Sequence, residues 1–120
     1  MAASTMRHTS VRLNGETYFG IDIAEDGSLV VAERTNGKPV RITRFPAGQP
    51  GTHALRSHIE EEHAHPHVCI KACGATALAL ATALIPVPGI GVTLVAPKTL
   101  QAPADAQGCA VHLARLAERL

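Results

Sequence analysis

YFGIDIAEDGSLVVAE, residues 18–33, is the stretch on which the fold turns. Tyr18, Phe19, Ile21 and Ile23 make a short apolar run, which Glu25, Asp26 and Gly27 close with a turn. Ser28 to Glu33 reads as a second strand. Outward from there, Thr35, Asn36 and Gly37 mark another tight turn, because Asn-Gly accepts positive φ at little cost. Pro39 to Phe45 (PVRITRF) alternates apolar and basic residues, as a half-exposed third strand does. Three strands joined by two short turns form an antiparallel meander.

Beyond Pro46 and Gly48 the period changes. Within Thr52 to Glu62, Leu55 and Ile59 stand at i and i+4 among polar residues, which predicts one amphipathic helix. His67 to Ile70 reads as a short buried strand, and Gly74 leads into the Ala- and Leu-rich segment Ala75–Leu84. Ile90 to Val95 is β-rich and Pro97 closes it. Ala110 to Leu120 is a final helix, with Leu113, Leu116 and Leu120 on one face and Arg115 and Arg119 near its C-terminus, where the helix dipole favours cations. The element order is βββ-α-β-α-β-α, which calls for a mixed sheet with helices on its faces. Residues 1–15, polar and carrying a second Met at position 6, read as a flexible lead-in; residues 16–120 form a single domain.

Composition narrows the function classes. In 120 residues, 11 Lys and Arg face 10 Asp and Glu, a formal charge of +1, which excludes a dedicated polybasic nucleic-acid binder. Aromatics are 2% with no Trp, so no aromatic platform for stacking single-stranded bases is available. Cys69, Cys73 and Cys109 lack the even spacing of a disulfide framework, and the N-terminus has no apolar h-region, so a reducing cytoplasm is expected. No residue between Lys71 and Lys98 is charged, but Pro86, Pro88, Gly89 and Gly91 cut the stretch. A buried helix followed by a buried strand is expected there rather than a membrane span.

Beyond composition and order, particular residues resemble a family. YFGIDIAEDGSLVVAE is similar to the opening of DEDD-type insertion-sequence transposases, the group related to the Piv invertase. RITRFPAGQPGTHALRSHI resembles their third strand, turn and Gly-led helix. HVCIKACGATALALATAL is similar to their strand ending in Glu-Ala-Thr-Gly before a helix. VTLVAPKTLQA resembles their fifth strand and its exit, and AQGCAVHLARLAERL the helix with a Lys-Thr-Asp-x-x-Asp-Ala signature. The resemblance spans Tyr18 to Leu120 and implies an RNase H-like (RuvC-like) α/β domain with a five-stranded mixed sheet. It implies two divalent metal ions, Mg2+ or Mn2+, held by four carboxylates to clamp the attacking and leaving oxygens of a phosphodiester. It also implies a helical region and a second domain with a nucleophilic Ser after this one; as nothing after Leu120 supplies them, a relic, a fragment or a repurposed module is expected.

Matched residue by residue, Asp22 takes the place of the first ligand. Lys71 stands where the Glu belongs, and Ala106 and Cys109 stand where the paired aspartates belong, with Asp105 one residue from the first. An ammonium at a ligand position repels the cation it replaces. The expectation is a catalytically inactive module with Asp22 paired to Lys71 and no required cofactor, acting through a homo-oligomer, a related transposase or DNA. Two alternatives stand beside it: a weak metal-dependent nuclease using Asp22 and Asp105, and a metal-independent nucleic-acid binder.

Other residues compete for attention. His65, His67, Cys69 and Cys73 are zinc-type ligands, but their H-x-H-x-C-x-x-x-C spacing matches no common finger, so a solvated helix end and loop is the plainer reading. Cys109, near a helix start, has no His or Asp at a helpful local spacing and reads as buried and structural. Lys38, Arg41 and Arg44 are candidate phosphate contacts, although alternation puts Arg41 and Arg44 on opposite faces.

Overall fold

The computed structural model describes residues 17–35, 38–62, 66–99 and 105–120. The lead-in 1–15, the Asn36-Gly37 turn and His65 lie outside these residues.

The chain folds as α/β. Five strands, β1 (Thr17–Ile23), β2 (Leu29–Thr35), β3 (Arg41–Phe45), β4 (His67–Lys71) and β5 (Gly91–Val95), form one sheet in the order β3-β2-β1-β4-β5. β2 runs antiparallel to both β1 and β3, whereas β1, β4 and β5 are mutually parallel, so the sheet is mixed. Helices α1 (Gln49–Glu62), α2 (Gly74–Leu84) and α3 (Ala106–Arg119) follow β3, β4 and β5, with a 3₁₀ turn at Pro97–Thr99. Among the described residues no helix is long and apolar enough to cross a membrane. The uncharged stretch between Lys71 and Lys98 holds a helix and a strand as expected, α2 and β5, but they are not the buried pair expected: α2 buries only Ala77, Leu80, Ala81 and Leu84, and β5, at the edge of the sheet with one neighbour, has no buried residue.

Side-chain alternation sorts the core. Phe19 and Ile21 of β1, Leu29 and Val31 of β2, and Val68 and Ile70 of β4 face α1 and α2, packing on Leu55, Ile59, Leu80 and Leu84. The opposite residues Val30, Ala32 and Cys69 face α3, against Cys109, Ala110, Leu113, Ala114 and Ala117. Each fully buried Leu, Ile or Phe contributes about 2 kcal/mol of transfer free energy, so this two-sided aliphatic core sets the fold. α3 packs unusually close to the sheet, and Gly20 is the reason. A Cβ at this position would collide with the backbone carbonyl of Ala110 and the amide of Ala114. With no side chain on β1 there, the helix lies directly on the strand just before Asp22.

Several boundaries differ from expectation, among them the start of β3, at Arg41 rather than Pro39. α3 begins at Ala106, four residues before Ala110, because Asp105 caps it: its Oδ2 accepts the Gly108 N–H at 3.0 Å. α1 begins at Gln49 rather than Thr52, with Pro50 in the first turn, where its missing N–H costs nothing. β2 runs two residues further, to Thr35, because its pairing with β1 extends to Thr17.

Candidate functional site

The C-terminal end of β1 supplies the centre of the site. Asp22 is the last residue of β1 on the α3 face, and its side chain is 5% exposed. A buried carboxylate must be matched by donors or a cation. Here Oδ1 accepts the Ile23 backbone N–H at 2.8 Å, and Lys71 Nζ lies 3.8 Å from Oδ2. Lys71 ends β4, the parallel neighbour of β1, so sheet register brings the pair together. Its side chain is 29% exposed, placing the ammonium at the boundary between the buried acid and solvent.

The third member comes from α3. The Cys109 thiol lies beside Asp22, near enough for the carboxylate to act on its proton, a proximity that Gly20 makes possible by letting the helix approach. Burial pushes the Cys109 thiol up to about 11; the Asp22 carboxylate adds to this, and Lys71 opposes it. The thiol is therefore protonated at neutral pH and is not a nucleophile. Cys69, beside it in the same cluster, is likewise pushed up to about 11 by burial.

In front of this cluster lies an open cleft of about 550 Å³, lined by Asp22, Glu25, Asp26, Arg44, Lys71 and Asp105 together with Ile23, Ala24 and Ala106. Asp26 accepts bonds from the Ser28 N–H at 2.9 Å and hydroxyl at 2.6 Å. Those bonds hold its carboxyl below the usual range, with a smaller contribution from Arg44. Asp26 is thus committed to its own turn. Asp105 lines the same cleft, but its carboxylate is spent on the cap of α3.

The site residues read from the sequence therefore separate. Asp22, Lys71, Asp105 and Ala106 converge on one cleft, with Cys109 beneath it at Asp22. The basic residues Lys38, Arg41 and Arg44 do not converge. Arg41 turns to the other face and pairs with Glu33 at 3.1 Å, while Arg44 lines the cleft. Glu33, on which Arg41 and His58 of α1 both converge at 3.1 Å, was missed in the sequence; a lone Glu in a strand gives no signal there. The zinc-type residues are also dispersed. His67 bonds the Thr93 hydroxyl at 3.2 Å, Cys69 is in the core under α3, and Cys73 precedes α2. Among the described residues no three His, Cys, Asp or Glu are placed to hold a metal ion.

What the arrangement does chemically follows from its charges. An acid with an ammonium, a thiol and a backbone N–H beside it already has its negative charge compensated. A divalent ion entering beside Asp22 would meet the Lys71 charge a few ångströms away, and of the other carboxylates lining the cleft Asp26 is bonded into its own turn and Asp105 into the α3 cap, which leaves Glu25. The residues present do not fit a two-metal centre. Neither a scan of protein-family models nor a search of curated proteins finds a match for this chain.

Proposed function

We propose that this chain is an RNase H-like module, similar to the N-terminal domain of DEDD-type transposases, whose metal centre has been replaced by the Asp22–Lys71–Cys109 cluster. In this reading it acts by association with protein, and cleaves no DNA. The observation that carries it is the 3.8 Å separation of Lys71 Nζ and Asp22 Oδ2. The ammonium stands at the strand end where the resembled family has its second carboxylate, and it neutralises the first one.

Two features support the RNase H-like part. The mixed five-stranded sheet, in the order β3-β2-β1-β4-β5 with β2 the single reversed strand, is compatible with such a domain. The residues matched to family ligands, Asp22, Lys71, Ala106 and Cys109, also gather at one end of the sheet although they are far apart in sequence. The binding of nucleic acid through Lys38, Arg41 and Arg44 has less support, since Arg41 is turned away and paired.

The test is cleavage and binding together. Supercoiled and branched DNA incubated with the protein and Mg2+ or Mn2+ should stay intact, and DNA affinity should be weak. Metal-dependent cleavage abolished by Asp22→Asn would overturn the reading.

A further inference from the structure

The two edges of the sheet are chemically unlike. The β3 edge is guarded by cations, Arg41 and Arg44, with Lys38 and Pro39 just before it, which is how proteins discourage strand addition. β5, the opposite edge, reads GVTLV and carries no cation or Pro within the strand, although Pro97 and Lys98 follow it. It belongs to the stretch 72–97, which has no charged residue, and of those 26 residues 14 are exposed and seven half-buried. Leu78 of α2, Ile85 just beyond it and Leu94 of β5 are 60%, 61% and 41% exposed, so the edge strand and the helix packed on it each show apolar side chains to solvent.

The backbone of β5 states what fits. Gly91 N–H donates to the Pro66 carbonyl at 3.0 Å, and the Val95 carbonyl accepts from Ala72 N–H at 2.8 Å, so both point toward β4. Because a strand alternates, Thr93 does too, while the N–H and C=O of Val92 and Leu94 point outward. Among the described residues nothing pairs with that side.

We propose that this edge pairs, antiparallel, with β5 of a second copy of this chain, making one continuous sheet about a two-fold axis. The strand is its own complement. With Thr93 on the axis, Val92 of one copy lies opposite Leu94 of the other, and these are the two residues whose backbone groups point outward. Each such pair exchanges both N–H···O bonds, which is the hydrogen-bonded pairing of an antiparallel ladder. Thr93 faces its own copy across the axis, a favourable cross-strand pair. Leu94 stacks on its partner's Val92 on the α2 face. A charge-free surface offers no steering to a nucleic acid or a charged peptide but meets its own copy without repulsion.

This names the partner in the reading above and rests on that reading for its role, though not for its geometry. Sedimentation equilibrium of the reduced full chain should show a dimer. Leu94→Pro removes one bond from each pair yet leaves the β4 ladder whole, since its N–H points outward. It should weaken dimerisation at least about tenfold, as should Leu94→Lys, which sets a charge against an apolar neighbour and keeps the backbone intact. Far-UV circular dichroism checks that each variant is folded. A monomeric wild type, or a dimer indifferent to both variants, would overturn the proposal; a partner of another kind would appear as the first of these. Asp22-dependent Mn2+ binding in an intact dimer would defeat the metal-free reading alone.

Discussion

Lys71 Nζ lies 3.8 Å from Asp22 Oδ2, across the C-terminal ends of two parallel strands that sit side by side in the sheet. The distance is long for a hydrogen-bonded ion pair, so the attraction is mainly Coulombic, and the half-exposed ammonium keeps part of its hydration. Such a pair adds little to stability when compared with an apolar pair. Removing one partner is another matter, because the carboxylate that remains is nearly inaccessible to water.

Lys71→Met therefore destabilises the fold by about 2 kcal/mol, as it leaves Asp22 with only the Ile23 donor and the Cys109 thiol beside it. Asp22→Asn costs less, since a neutral amide needs no counter-charge. The double variant should cost less than the two singles summed, by about 1 kcal/mol. Urea unfolding of the four proteins measures the coupling.

Asp105→Ala should lower stability by about 1 kcal/mol through loss of the cap on α3 and leave metal affinity unchanged. If Asp105 were a ligand, the variant would alter Mn2+ binding instead. Thermal unfolding with and without Mn2+ separates the two roles.

The βββ-α-β-α-β-α order was legible because each turn is marked by Gly, Asn-Gly or Pro and each element keeps one hydrophobic period. The Asp22–Lys71 pair was legible as well, since residues at the ends of strands in register must meet. The start of α3 was not. Gly108 in its first turn counts against a helix, and the Asp105 cap that outweighs it is a matter of one side-chain bond. Nor was the nearness of Cys109 to Asp22, which brings together residues 87 positions apart and depends on how closely α3 descends onto Gly20. Local spacing around Cys109 carries no trace of it.

Gly20→Ala tests that close approach. The added methyl meets backbone of α3, which cannot move aside as a flexible side chain would. A loss of more than about 2 kcal/mol is expected, with faster thiol labelling of Cys109 as the helix lifts.

Alkaline pH should weaken the fold through the buried thiols. Cys69 and Cys109 are pushed up to about 11 from an ordinary 9.0, so in this range the folded chain holds protons that the unfolded chain releases. Their contribution is full below pH 9 and lost as pH rises through about 11, by about 3 kcal/mol per thiol at most. At pH 8 a thiol reagent should label the half-buried Cys73 first, and Cys69 and Cys109 only on unfolding.

Lys71→Glu reverses the charge at the decisive position. With two carboxylates then facing each other, the variant should be less stable than wild type in chelator and recover stability as Mn2+ is added. Wild type should show no such metal-dependent rise.

The most direct measurement is calorimetric titration of Mn2+ into the wild-type protein, with Asp22→Asn and Lys71→Glu alongside. The account predicts no binding heat in wild type or Asp22→Asn, and weak binding that appears only in Lys71→Glu. Stoichiometric binding to wild type that disappears in Asp22→Asn would contradict it.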